Sequence, residues 1–202
     1  MKKNKLISGV ALLGIAALTL TGCSKLPQEK IDAANVAIQG AQVSGAESYT
    51  ANEFIALQDS MKSALVSIEE QNSKFLKNYD IPTKKLESVV SYASVVTALA
   101  ESKKEALKAE ILASINEIKA LIEENTTLIA AAPMGKEGAT ALMAITGELE
   151  TIQVTVTESN VLLERGEFFA SLEKANAGKD KSLAINAELK AVISKFKSAK
   201  SK

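Results

Sequence analysis

The residue best suited to covalent modification is Cys23, the single cysteine of a chain that contains no histidine. It ends the stretch Leu20-Thr21-Gly22-Cys23, in which the two residues before the cysteine are small. Small side chains allow a peptide to lie extended in a peptidase cleft, so this spacing predicts cleavage between Gly22 and Cys23. Because no second cysteine exists, a disulfide or thiolate metal site within the chain is excluded.

The 22 residues before Cys23 have the organisation of an export signal. Lys2, Lys3 and Lys5 precede an apolar run over residues 6–20. As a helix this run would span roughly 22 Å, short of the ~30 Å hydrocarbon core, so a permanent transmembrane helix is not expected. The segment resembles the signal of bacterial lipoproteins, which implies removal of residues 1–22 and acylation of Cys23.

The residue after the cysteine bears on which membrane the protein is expected to reach. In the lipoprotein group that the signal resembles, an aspartate at this position commonly retains the protein in an inner membrane, and this chain has Ser24. The resemblance therefore implies a bacterial membrane location through a lipid anchor, in the outer membrane facing the periplasm where the cell has two membranes.

Composition argues against several classes of function. Residues 1–22 carry three lysines and no acid, so the remainder has 21 basic and 24 acidic residues and a net charge of −3. Nucleic acid is not an expected partner, because its binding relies on neutralising phosphates with Lys and Arg. Without histidine, the commonest general base and metal ligand is missing. We expect no enzyme activity, no cofactor and no metal site.

Apolar residues recur at spacings of three and four along the rest of the chain, which is the pattern of helices. The first half predicts helices over residues 27–44 and 50–78 and a long one over 82–130. Thr50 and Glu53 have the capping-box spacing, so we expect each side chain to accept from a backbone N–H at the start of the second helix. The second half predicts a loop over 131–138 and helices over 139–165, 167–177 and from Gly178 onward.

The long helix has two apolar frames. The seven-residue repeat of apolar positions shifts between Leu107 and Ile115, as it does at a coiled-coil stutter. This shift indicates that two different partners pack against the helix. The expected fold is all-α: an elongated antiparallel helical bundle or coiled-coil-like array of about six helices with one long central helix. The chain divides into a signal at 1–22, a tether at 23–26 and a helical body at 27–202, whose sub-bundles at about 27–107 and 108–202 share the helix 82–130.

Two of the predicted helices repeat one pattern. Each apolar stripe position of the 50–78 helix lies 88 residues before a stripe position of the 139–165 helix, including the polar pair Gln71 and Ser159. Phe75 and Leu163 close the two stripes. An internal duplication is therefore expected.

Several turns carry a wider resemblance. They are Gly45-Ala46-Glu47-Ser48-Tyr49, Gln71-Asn72-Ser73-Lys74-Phe75, the loop at 133–138 and Gly166-Glu167-Phe168. With the cysteine motif, they resemble a group of uncharacterised Ala-rich, all-helical bacterial lipoproteins classed as a domain of unknown function. The resemblance implies the fold and the membrane address, and it implies no catalytic residue.

Other reactive patterns favour ordinary helix surfaces. Ser171 with Lys174 and Ser194 with Lys197 match Ser-x-x-Lys, but the accompanying motifs of penicillin-recognising enzymes are missing. The pairs Glu69-Glu70 and Glu123-Glu124 do not converge on a cation by themselves, because neighbouring helix residues point about 100° apart. Three tyrosines could form a sugar or peptide platform, although loop tyrosines commonly pack against helix ends: Tyr49, Tyr79 and Tyr92.

The first functional hypothesis is a non-enzymatic, lipid-anchored envelope rod that binds an envelope protein or peptidoglycan, or acts as a spacer. The alternatives are an accessory or carboxylate-based enzyme acting on cell-wall polymers, and a carrier of a small ligand or lipid. A basic C-terminus is the candidate envelope contact, although lysines also complement a helix dipole as a solvated end. Its residues are Lys195, Lys197, Lys200 and Lys202.

Overall fold

The computed structural model describes residues 25–133 and 136–200. Within these ranges the chain forms six helices and no strand, so the predicted all-α class is confirmed. The helices are α1 (Gln28–Val43), α2 (Ala46–Tyr49), α3 (Ala51–Asn72), α4 (Asp80–Ala131), α5 (Lys136–Glu164) and α6 (Phe168–Lys200).

Helix α4 is the long central helix that the sequence predicts. It contains 52 residues and is therefore about 78 Å long at 1.5 Å per residue. Its one proline, Pro82, lies in the first turn, where a missing N–H removes no helical hydrogen bond. Every other helix packs against α4.

Two separate apolar cores line α4. In the first, α1 and α3 pack against the N-terminal half, with Leu86 fully buried. In the second, α5 and α6 pack against the C-terminal half around Ile111 and Ile118. The cores border each other at Ala100 and Ile111, which are 11 residues apart. This interval is a heptad plus the four residues of a stutter, so the slip in the apolar frame corresponds to the change of partner helices.

The two halves share one order of helix directions. In the first half, Lys30 pairs with Glu87 at 2.8 Å near the starts of both helices, so α1 runs parallel to α4 while α3 runs back in the opposite direction. In the second half, Lys179 pairs with Glu117 at 2.6 Å, and α6 runs parallel to α4 while α5 returns. The shared order is what an internal duplication with an offset of 88 residues would produce.

Two details of the second predicted helix are wrong. The Thr50 hydroxyl makes no capping bond to a backbone N–H and instead donates to the Ala46 carbonyl at 3.0 Å, because the short α2 precedes it closely. Helix α3 ends at Asn72 rather than at residue 78, and Phe75 is fully exposed rather than part of the core. The chain turns here to begin α4, which takes Phe75 off the apolar stripe.

The loop and the helix boundary that the sequence predicts in the second half also differ from the structure. The predicted loop at 131–138 is shorter, because α4 includes Ala131 and α5 begins at Lys136. Gly178 does not end a helix, since α6 continues through it to Lys200. A Cβ atom at Gly178 would lie 3.4 Å from Ile118 Cδ1 and 3.5 Å from Thr155 Cγ2. These are ordinary van der Waals distances, so Gly178 lies where α6 faces α4 and α5, at a position with room for a Cβ atom.

Candidate functional site

The predicted cleavage and lipidation residues, Gly22 and Cys23, lie outside the described residues. The described chain begins at Lys25, three residues before α1. Because Lys30 pairs with Glu87 near the start of α4, the chain enters the body at one end of the helical array. We call this end the proximal tip, and the opposite end, where α4 leads into α5, the distal tip.

The connection between α3 and α4 also lies at the proximal tip. Its inner side is held by Tyr79, which is 4% exposed and whose hydroxyl donates to Asn72 Oδ1 at 3.3 Å. Lys77 Nζ donates to the same oxygen at 2.7 Å. Its outer side carries Phe75 and Leu76, which are both exposed. The loop thus exposes two apolar side chains, while hydrogen bonds to Asn72 fix its inner side.

The first Ser-x-x-Lys pattern has a structural role. Ser171 is fully buried, and its hydroxyl donates to the Ser159 carbonyl at 2.7 Å. Lys174 instead forms an exposed ion pair with Glu158. The second pattern lies on the exposed end of α6. The serine hydroxyl of the first pattern is therefore committed to a helix–helix hydrogen bond, and the lysine of the pattern is paired with Glu158.

Asn125 is the centre of a buried polar network that the sequence analysis did not identify. Its Nδ2 donates to the Ser182 carbonyl at 2.9 Å, and its Oδ1 accepts from Asn186 Nδ2 at 2.8 Å. The residue is 0% exposed. Its place in the three-and-four apolar spacing after Ile118 and Ile122 was the signal that could have identified a buried position.

The acidic pairs lie on the surface. Lys190 hydrogen-bonds to Glu124 and, with the Asn186 amide, lowers the pKa of the Glu124 carboxyl. This direction is the reverse of the raised pKa that a carboxylic general acid needs at neutral pH. Glu69 and Glu70 are exposed at the end of α3. Among the described residues, no group of three or more acidic, His or Cys side chains is arranged to hold a metal ion.

The three tyrosines do not form one platform. Tyr49 stacks on Phe169 with ring centroids 5.4 Å apart, at the border between the two cores. Tyr79 is buried at the proximal tip, and Tyr92 is half-buried against the first core. Lys104 Nζ lies 5.9 Å from the Tyr49 ring centroid, within the range of a cation–π interaction. Tyr49 therefore helps to join the two halves.

Two surface grooves bear on the alternative functions. One, of about 320 Å³ between α5 and α6, has Glu148 and Glu188 in its lining together with Lys181. The other, of about 520 Å³ near the distal tip, is lined partly by Leu142 and Met143. Both are open to solvent, whereas ligand sites usually bury most of the ligand surface.

The basic end of the chain lies at the distal tip. Lys195 and Lys197 are exposed on the last turns of α6, while the side chain of Lys200 and all of Lys202 lie outside the described residues. Because α6 runs parallel to α4, these lysines are far from the proximal tip. The structure brings them together on one helix end, and it places no acidic side chain after Glu188 on this helix.

No family model, curated protein or solved structure matches the chain. The resemblance to Ala-rich helical lipoproteins thus stays a prediction. No helix in the described ranges is long and apolar enough to cross a bilayer.

Besides the Asn125 network, the sequence did not predict two features that the structure shows. The exposed Phe75 and Leu76 pair was hidden because Phe75 fits the apolar spacing of α3. Ser159 lies on the predicted stripe, but its pairing with Ser171 was hidden because spacing along one helix does not say which residue of a neighbouring helix lies opposite. Both depend on where neighbouring helices end.

Proposed function

We propose that this chain is a lipid-anchored protein of the bacterial cell envelope, attached through Cys23, that works without catalysis as a helical rod presenting its faces to a partner. One observation carries the proposal. The acylation motif Leu20-Thr21-Gly22-Cys23 lies a few residues before a helical body that begins with α1 at Gln28 and is organised along a single helix of 52 residues.

The dimensions suit a spacer or a presenting surface. One residue, Ser24, separates Cys23 from Lys25, so their Cα atoms lie at most about 7 Å apart and the proximal tip would lie close to the bilayer. Helix α4 extends about 78 Å from that tip. The distal tip, with Lys195 and Lys197, could then reach peptidoglycan or an envelope protein away from the anchoring membrane.

The carboxylate-enzyme alternative is less well supported. The pKa of the Glu124 carboxyl is lowered by Lys190, which is the opposite of what a general acid needs. The buried polar side chains Asn125, Ser159 and Ser171 all have protein hydrogen-bond partners that join helices. These contacts favour a structural scaffold.

Cys23→Ser tests the anchor. In cells fed a clickable palmitate analogue, we expect the wild type to be labelled and to fractionate with membranes, because two or more acyl chains hold a protein far better than one. The variant should remain as unlabelled, unprocessed precursor. Ser24→Ala is the matched control and should still be labelled. Normal processing and membrane retention of Cys23→Ser would falsify the lipoprotein proposal.

The address and the partner need separate tests. In a cell with two membranes, we expect the wild type in the outer-membrane fraction and Ser24→Asp in the inner-membrane fraction. Cross-linking in intact cells, followed by purification of the lipidated protein, should capture an envelope component at the body's surface. Failure to capture any envelope component, with the anchor intact, would count against partner binding and leave a spacer role.

A further inference from the structure

The proximal tip exposes large apolar side chains that none of the six described helices covers. Phe75 is 100% exposed, Leu76 is 77% exposed and Ile81 is 64% exposed. Leu26, one residue after the start of the described chain, is 45% exposed. Single exposed apolar residues are normal on protein surfaces, but a group at one end of a molecule marks an interaction site.

These residues share one end of the rod. Leu26 is four residues before Lys30, and Lys30 pairs with Glu87 near the start of α4. Ile81 lies in the first turn of α4, and Phe75 and Leu76 belong to the loop just before it. The chain therefore enters the body at the tip that carries the exposed apolar loop.

The two lysines within the loop suit a phospholipid surface, and the acidic side chains nearest in sequence, Glu69, Glu70 and Asp80, belong to the adjoining helix ends. Lys74 and Lys77 directly flank Phe75 and Leu76, and Lys25 begins the described chain. Lys77 donates one hydrogen bond to Asn72, which leaves donors on its ammonium for another acceptor. Aromatic and aliphatic side chains bordered by lysines are the composition that inserts at the boundary between headgroups and acyl chains.

We propose that Phe75 and Leu76 insert into the bilayer surface beside the lipid anchor, so that the α3–α4 loop is a second membrane contact that sets the orientation of the rod. This inference rests on the proposed anchor at Cys23. The anchored residue Cys23 precedes the described structure at this tip, and the short link from Cys23 through Ser24 to Lys25 would hold the loop near the bilayer. Docking is then intramolecular, so a weak contact suffices.

The chain contains no tryptophan, so a single introduced tryptophan reports on its own surroundings. The lipidated full-length protein would carry Phe75→Trp, reconstituted in vesicles of phosphatidylethanolamine and phosphatidylglycerol. We expect its emission to shift to the blue and to be quenched by lipids brominated on the acyl chains. The fully exposed Phe75 makes no core contact, so the substitution should leave the fold intact.

Met143→Trp is the matched control. Met143 is 77% exposed, like Leu76, but lies in α5 near the distal tip. The tryptophan of this control should emit as in water and be quenched by acrylamide rather than by brominated lipid. Combining Phe75→Trp with Lys74→Glu and Lys77→Glu should remove part of the lipid quenching, because the flanking charge would then repel phosphatidylglycerol.

Vesicle flotation separates the two proposals. If the lipidated Phe75→Trp protein floats with vesicles while its tryptophan emits as in water, the loop insertion is wrong and the anchor stands. If the protein carries no lipid and does not float, the anchor proposal and the inference that rests on it both fail. Equal lipid quenching in the Phe75→Trp and Met143→Trp proteins would also overturn the inference, because it would mean that the rod lies flat on the membrane.

Discussion

Ser159 and Ser171 form a reciprocal pair between α5 and α6. The Ser159 hydroxyl donates to the Ser171 carbonyl at 2.9 Å, and the Ser171 hydroxyl donates to the Ser159 carbonyl at 2.7 Å. Both residues are fully buried. The turn between the helices contains Gly166 with φ of 80°, a conformation that glycine adopts without strain. This tight turn brings the two helices close enough for backbone-to-hydroxyl contacts.

Ser159→Ala should lower the free energy of unfolding by about 1–2 kcal/mol, because a buried hydrogen bond is lost while Ser171 keeps its own. Urea denaturation would measure the change. Ser60→Ala is the matched control, since Ser60 is exposed on α3 and donates only to the Ala56 carbonyl within its own helix. A loss for Ser159→Ala no larger than that for Ser60→Ala would show that the pair contributes no stability.

Asn125→Ala should destabilise more than an exposed substitution, by about 1–3 kcal/mol, because the buried Asn186 amide loses the Asn125 oxygen and keeps only its contact with Glu124. Replacing both residues, as Asn125→Leu with Asn186→Leu, should recover part of the loss, since neither amide is then left unpaired. The measurement is again urea unfolding, with the wild type and both variants compared. A double variant that is less stable than Asn125→Ala would contradict this account.

Ile115→Pro should break the central helix. Proline inside a helix costs about 3 kcal/mol or more through a lost hydrogen bond and a steric clash. Ile115 is 2% exposed, so Ile115→Ala is the control that removes packing and retains the helix. Both variants should melt at lower temperature, whereas only proline should reduce far-ultraviolet circular dichroism at low temperature. Unchanged helicity in the proline variant would mean that α4 is interrupted at this residue in solution.

The basic end of α6 should bind anionic cell wall in a salt-dependent way. Deleting residues 195–202, or making Lys195→Glu with Lys197→Glu, should abolish binding of the acyl-free protein to purified peptidoglycan at low salt. Lys62→Glu with Lys84→Glu removes the same charge from exposed positions on α3 and α4 and should retain binding. If the deletion leaves binding unchanged, or the wild type does not bind at low salt, these lysines have no role in cell-wall binding and are only the solvent-exposed end of a helix.

Much of the architecture follows from local pattern. The three-and-four spacing, with prolines only at segment borders, determined the all-α class and the unbroken helix α4. The slip after Leu107 also indicated the change of partner helices, because a residue's side of a helix follows directly from its number along the chain. Cys23 and its neighbours determine the predicted anchor in the same local way.

Other features were decided only by packing. Gly178 is predicted from the sequence to end a helix, yet it lies within α6, where it faces Ile118 of α4 and Thr155 of α5. Phe75 fits an apolar stripe, yet it is exposed, because α3 ends at Asn72. Whether such a residue is buried depends on which helix lies opposite and where that helix ends, and these are properties of the tertiary structure rather than of spacing along the chain.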